Sequence, residues 1–499
     1  MSSTIFKNAS SSVIQTIVSA LLLFFLYRFL LQSLGADQLG VWAVVLASTS
    51  VARLSDMGLS GAALKFVAKS LAAGKSEDAA HVVQTASISI GAVLAILLIA
   101  VYPLLQSTLT LIIPPHSIIL ALSILPWALL SLWFGLIAGI FNSALDGCNR
   151  MDIRNIILSV CNIIYLVGAF WLVPIYGLEG LAKGQLGQTV IMVILSWVAI
   201  RKQLPSLPWV PYSWKKDKFK EIFSYAINFQ ISGLAAMLFD PAIKFMLTKF
   251  GGLSEVAFYE MANQVIAKAR GVLISAFRSV VPAIAYIDDA DHERLISIYL
   301  KSYRILSFIA VPYFVGIIVA LPLISILWIG HIEVNFISFG YLLSLGWMLS
   351  TVGIPAYFHN IGTGKLAWNT ASQLLSTGIL LPLAFILGGL YSGFAVVASA
   401  MFSAVLPNLL LALIVQKRMG VSFNKVLPLE QYKLFLFVTL TVFIIGALNY
   451  YNFNLINSIG FNTVSLTAYI TVTITAFWLH PYKKSLFSGL KKPRGGEND

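Results

Sequence analysis

Charge is confined to short stretches of this chain, and between them run about fourteen apolar segments, each near the ~20 residues that cross a bilayer as a helix. That pattern fixes the solvent before it fixes anything else. In hydrocarbon every backbone N–H and C=O must be paired within its own segment, so the runs are read as helices, giving an all-α integral membrane protein. Only 11% of the 499 residues are charged and 58% are hydrophobic, where a water-soluble domain carries about a quarter charged. The first spans are Ile14–Leu34 and Leu39–Leu64, and the last are Tyr432–Leu448 and Ile459–Leu479. Between them, Ile222–Thr248, Val256–Ala285 and Phe336–Phe358 are the seventh, eighth and tenth. The first run is too long for a signal h-region and is interrupted by Arg28, so it is read as a spanning helix and not as a cleaved leader.

Lysine and arginine in the connections orient the spans, because loops rich in them stay on the cytoplasmic side. Every second connection is basic. These hold Lys69 and Lys75, Arg150 and Arg154, Arg201 to Lys220, Arg294 and Lys301, Lys365, Lys417 to Lys425, and the tail from Lys483 to Arg494. The alternate ones, such as Gly35–Gln38, Gln106–Ser117 and Gly251–Glu255, contain neither residue. Both termini are therefore expected in the cytoplasm, with the protein multi-pass in a plasma membrane. The net charge of +13 belongs to one membrane face and gives no reason to invoke nucleic acid.

A weak repeat at an offset of about 215 residues relates the first six spans to the next six, as in secondary transporters. Asn155 to Lys202 aligns with Asn369 to Arg418, each stretch opening on Asn, reversing at a Gly-containing turn and closing on a dibasic pair. The reversals are Tyr176–Gly177–Leu178–Glu179–Gly180 and Gly389–Leu390–Tyr391–Ser392–Gly393. An even number of helices per copy keeps both in the same orientation. The expected organisation is an N-lobe over residues 1–203, a basic linker over 204–220 and a C-lobe over 221–418. Two further helices over 419–482 and a basic tail over 483–499 complete it. Two six-helix lobes would then enclose a central cleft.

Ionisable groups inside spans are costly and mark function or pairing. Arg28 lies in the first span, Arg53 and Asp56 in the second, Asp240 and Lys244 in the seventh, and Glu260, Lys268, Arg270 and Arg278 in the eighth. At 100° per residue Glu260, Gln264, Lys268, Arg270 and Arg278 fall on one half of the eighth helix, which needs water or polar neighbours there. The repeat offset sets Arg28 beside Lys244 and Arg53 beside Arg270. Cations outnumber anions, so Arg28, Arg53, Lys244, Lys268, Arg270 and Arg278 are candidates to bind an anionic substrate. Asp56, Asp240 and Glu260 are the candidates for a coupling ion. Local pairing competes with that reading, because Arg53–Asp56, Asp240–Lys244 and Glu260–Gln264 stand at helical neighbour spacing. Arg28 and Arg278 are also near enough to an interface to snorkel.

The run Leu34-Gly35-Ala36-Asp37-Gln38-Leu39-Gly40-Val41-Trp42, followed by Arg53-Leu54-Ser55-Asp56-Met57-Gly58-Leu59, resembles the polysaccharide transporters of the multidrug/oligosaccharidyl-lipid/polysaccharide (MOP) flippase superfamily. Within it, the chain is most similar to Wzx-type O-antigen flippases, although many of those resemble a twelve-helix pattern and the lipid II flippases a fourteen-helix one. The resemblance implies movement of an undecaprenyl-diphosphate-linked oligosaccharide between leaflets of the bacterial inner membrane. It also implies a proton or sodium ion as driver and membrane lipid as surroundings, with a polysaccharide polymerase and a chain-length regulator as candidate protein partners. A diphosphate head suits a cationic, hydrated cleft. A lipid II flippase, a multidrug antiporter of the same superfamily and an integral-membrane glycan polymerase are the competing readings. Neither a Walker A loop, GxGxxG, HExxH nor a nucleophile elbow occurs. The six histidines are scattered, and Cys148 and Cys161 have no redox or metal spacing, so no cofactor, metal or catalytic residue is expected.

Overall fold

The computed structural model describes residues 2–50, 58–277, 292–363, 367–421 and 458–479. Among them every regular element is helical. The helices are α1 Ser2–Ser50, α2 Leu59–Ala72, α3 Ser76–Ile112, α4 Pro115–Gly147, α5 Met151–Gln203 and α6 Lys216–Phe250. They continue as α7 Leu253–Phe277, α8 His292–Trp328, α9 Val334–Ser350, α10 Ile354–Gly362, α11 Ala367–Arg418 and α12 Ile459–Leu479. Seven described stretches are long and apolar enough to cross a membrane, and the chain is a multi-pass membrane protein.

Three of the long helices are in fact two spans joined by a reversal. The dihedrals leave the helical region at Gly35 in α1, at Gly177 in α5, and at Tyr391 and Ser392 in α11. In α5 the Gln188 Nε2 donates to Asn162 Oδ1 at 3.0 Å, although 26 residues of straight helix would hold them about 39 Å apart. The sequence repeat is therefore visible in the backbone. Gly177 has φ 57 and ψ −137, and Ser392 has φ 62 and ψ −158. Asn155 and Asn369, the residues that open each copy, are both buried and both bonded. Their partners differ. Asn155 Nδ2 donates to Ser11 and Ser12 Oγ at 2.9 Å, whereas Asn369 Nδ2 donates to the Tyr357 carbonyl at 3.0 Å and its Oδ1 accepts from Asn360 Nδ2 at 2.8 Å.

The described chain separates into two compact units, Met1–Phe258 with Leu381–Val396, and Tyr259–Leu380 with Val397–Asp499. Lipid tails are as apolar as leucine, so helices associate through close packing of small residues more than through burial from water. In the first unit Ala62, Ala63, Ala79, Ala80, Ala86 and Ala144 form such a core, with Phe66, Phe141 and Ile90 filling between them. Large apolar side chains point outward, among them Leu111 at 86% and Trp171 at 79% exposure, as a lipid-facing surface requires. In the second unit Tyr299 and Tyr303 of α8 pack with Ala356 of α10 and Leu411 of α11. The last helix, α12, lies on α8 through Tyr469, whose hydroxyl donates to the Pro312 carbonyl at 2.7 Å. The expected span Tyr432–Leu448 lies outside the described residues.

One departure from the sequence reading has a clear cause. The tenth span is not one helix: a 3₁₀ turn at Thr351–Gly353 separates α9 from α10, because Pro355 has no N–H to donate. Asn408 Nδ2 fills the break by donating to Ser350 Oγ at 3.0 Å. The basic linker between α5 and α6 is held against α3. The N–H groups of Tyr212 and Ser213 donate to Gln84 Oε1 at 3.3 and 3.2 Å, that of Lys215 to Thr85 Oγ1 at 3.2 Å, and Trp214 Nε1 to Ser89 Oγ at 3.0 Å. One polar edge of α3 thus straps residues 212–215 along it.

Candidate functional site: a cationic cavity beside α7

Helix α7, 25 residues long, falls outside the stretches apolar enough to span by composition, because Glu260, Lys268 and Arg270 interrupt it; Asp240 and Lys244 stand on the 35-residue α6. On α6, Lys244 is 7% exposed and its Nζ lies 2.7 Å from Asp240 Oδ2. The local-pair alternative is what the structure holds there, with Pro241 built into the same helix. On α7, Glu260 is buried and its Oε1 accepts from Gln264 Nε2 at 2.7 Å. Lys268, two turns further on, is exposed.

Arg270 is placed differently. Its guanidinium carbon lies over the Trp347 ring on α9, 3.8 Å from the ring centre, and indole is the aromatic ring that binds cations best. The same side chain forms one wall of a cavity of about 290 Å³. Ile274 of α7, Ile354, Tyr357 and Phe358 of α10, and Gln373 of α11 line the rest. A guanidinium carries five N–H donors, so contact with one ring leaves donors able to bind an anion. Tyr357 adds a hydroxyl and Gln373 an amide that both donates and accepts. The cavity is at the small end for ligand sites. A space of that size holds one small polar group, and apolar walls strengthen each polar contact made there.

Of the remaining candidates, Arg28 is exposed on α1. Arg53, Asp56 and Arg278 lie outside the described residues. Lys183 pairs with Glu179 at 2.9 Å and sits 4.7 Å over the Tyr176 ring. Sequence reading missed Trp347, Tyr357 and Gln373. The Pro355 break, which brings Tyr357 to the cavity on a helix of its own, was the signal available for them.

The sequence profile of a family described as polysaccharide biosynthesis protein matches residues 25–331, well over half of the chain. The chain belongs to that family. Among solved structures, the lipid II flippase MurJ in an inward closed conformation superposes with a TM-score of 0.71 at 15% identity, covering 96% of this chain and 99% of that one. A multidrug-resistance MATE-family transporter of the MOP superfamily, facing inward, gives 0.70 at 16% identity over 81% and 98%. A MOP superfamily transporter from Pyrococcus furiosus gives 0.56 at 15% identity over 84% and 95%. At such identities the likeness speaks for the fold, and the family member described here has the two-lobe MOP fold. A search of curated proteins found no significant sequence match.

Proposed function

We propose that this protein is a flippase that carries an undecaprenyl-diphosphate-linked oligosaccharide, the repeat unit of an O-antigen or other surface polysaccharide, to the outer leaflet of the bacterial inner membrane. The observation that carries this reading is membership of a polysaccharide-biosynthesis family in a chain with the fold of MOP transporters. The chemistry supports it. The lipid tail of such a substrate stays in the bilayer, and only a polar, anionic head must cross, for which a cation such as Arg270 in a protein-lined cavity replaces water and counterions. Lobes rocking about the head would give alternating access, driven by a proton or sodium ion, with both termini in the cytoplasm. Arg28, Arg53, Lys244, Lys268 and Arg278 remain proposed contributors of positive charge.

A lipid II flippase is the second reading, favoured by the 96% of this chain that the MurJ likeness covers. Mass spectrometry of lipid-linked sugars in a deletion strain separates the two. Undecaprenyl-linked repeat units should accumulate, and wild-type protein but not an Arg270→Ala variant of equal abundance should clear them. Accumulated lipid II with an intact surface glycan selects the second reading. Unchanged lipid-linked sugars with altered drug sensitivity contradict both in favour of an exporter.

A further inference from the structure

The first turn of α7 sets Glu255 under the reversal of α11. Its Oε2 is buried without a hydrogen bond, and among the described residues the side chain enters no ion pair. It rests on backbone instead: a Cβ at Gly251 or at Gly393 would collide with that oxygen, so both positions must be glycine for the carboxyl to lie there. The surroundings are apolar. A Cβ at Gly393 would also stand 2.8 Å from Leu247 Cδ1, and the Phe250 and Phe385 rings meet edge to face at 5.7 Å. Of the charged groups on the packed elements, Asp240 and Lys244 of α6 pair with each other. Lys249, ending α6, sits 4.8 Å over the Phe385 ring, and Asp37 belongs to α1, which meets α7 at Gly40 and Leu253. Glu260, further along α7, is engaged with Gln264. The α11 tip, Leu381–Val396, contains no charge, and its one titratable group, Tyr391, is exposed. That tip is also the part of α11 grouped with the first unit, while the rest of the helix belongs to the second.

We propose that Glu255 is a reversible proton-binding site whose neutral form seats the α11 tip and whose ionised form releases it. The step needs only water: a proton from the aqueous phase joins one carboxylate oxygen and later returns, and no other bond changes. Burial, with no cation to oppose it, holds this carboxyl above its ordinary range. A raised value in the seated state means that seating is complete in acid and is lost as pH rises through that value. The place of this step in an ion-coupled transport cycle rests on the flippase reading; the seating itself does not.

Spin labels at Tyr391→Cys on the tip and Trp171→Cys on α5, with Cys148 and Cys161 replaced by Ser in the full chain, report the seating as a distance. Samples frozen at intervals from about pH 4 to about pH 9 scan the range above an ordinary carboxyl. The wild-type background should give one distance in acid and a growing second population in base. Glu255→Gln should stay seated throughout, and Gly393→Ala should be unseated throughout. A wild-type distribution that ignores pH overturns the proposal, as does a Glu255→Gln chain that keeps the pH response or a Gly393→Ala chain that stays seated. No substrate is used, so this result and the flippase test fail independently.

Discussion

A guanidinium held over an indole keeps N–H donors to spare, and this distinguishes Arg270 from Lys244, whose ammonium is engaged with Asp240. Lysine at this position keeps the charge but loses the planar group and the fork of donors. Arg270→Lys should therefore fall most of the way to Arg270→Ala in clearing lipid-linked sugars, with abundance unchanged; full activity of the lysine variant would remove this argument. Ser392 gives a second prediction. Its φ of 62 with ψ −158 lies where side chains cost about 1–3 kcal/mol, while the first copy has Gly177 at the matching place. Ser392→Gly should raise the melting temperature of the purified protein, and Gly177→Ala, which has open space around it and only backbone strain to suffer, should lower it. At this scale local spacing was legible and distant packing was not. Asp240 and Lys244 are four residues apart on one helix, so their pairing could be read beforehand. Trp347 comes to Arg270 from another helix, and no periodicity within α7 encodes that.

Helices were read well where hydrophobic runs and reversals coincide, because membrane spans must satisfy their own backbone and cannot be short or irregular. The turns at Gly35, Gly177 and Ser392 fall where the charge pattern and the repeat placed them. The break at Thr351–Gly353 was lost because the apolar run continues through it, and a hydropathy window averages over one proline. The strap along α3 was not legible for another reason: the polar edge of Gln84, Thr85 and Ser89 that holds the linker lies far earlier in the chain. Gln84 is buried and accepts from two backbone donors, so Gln84→Ala leaves both unpaired at a cost of about 1–3 kcal/mol. Limited proteolysis should then cut residues 205–215 faster than in the wild type; an unchanged rate would mean that the bonds to Thr85 and Ser89 hold the strap without Gln84.

For the molecule as a whole, the fold was legible because the bilayer leaves so few choices: span length, loop charge and an internal repeat together select a two-lobe helical transporter. Function was legible only as far as charge sign and family motif go, since recognition of a particular sugar depends on side chains from several helices meeting at one cavity. The topology can be checked directly. A membrane-impermeant thiol reagent should label Ser458→Cys in intact spheroplasts and Lys75→Cys only after lysis; the reverse order would invert the molecule. The central claim is that this cavity-bearing MOP fold moves an anionic lipid-linked sugar. Its most direct measurement is the fraction of undecaprenyl-diphosphate oligosaccharide exposed to a sugar-oxidising reagent outside sealed vesicles. Vesicles containing the wild-type protein should expose their inner-leaflet pool with time while Arg270→Ala vesicles match protein-free ones, and wild-type vesicles that expose no more than empty ones would contradict the account.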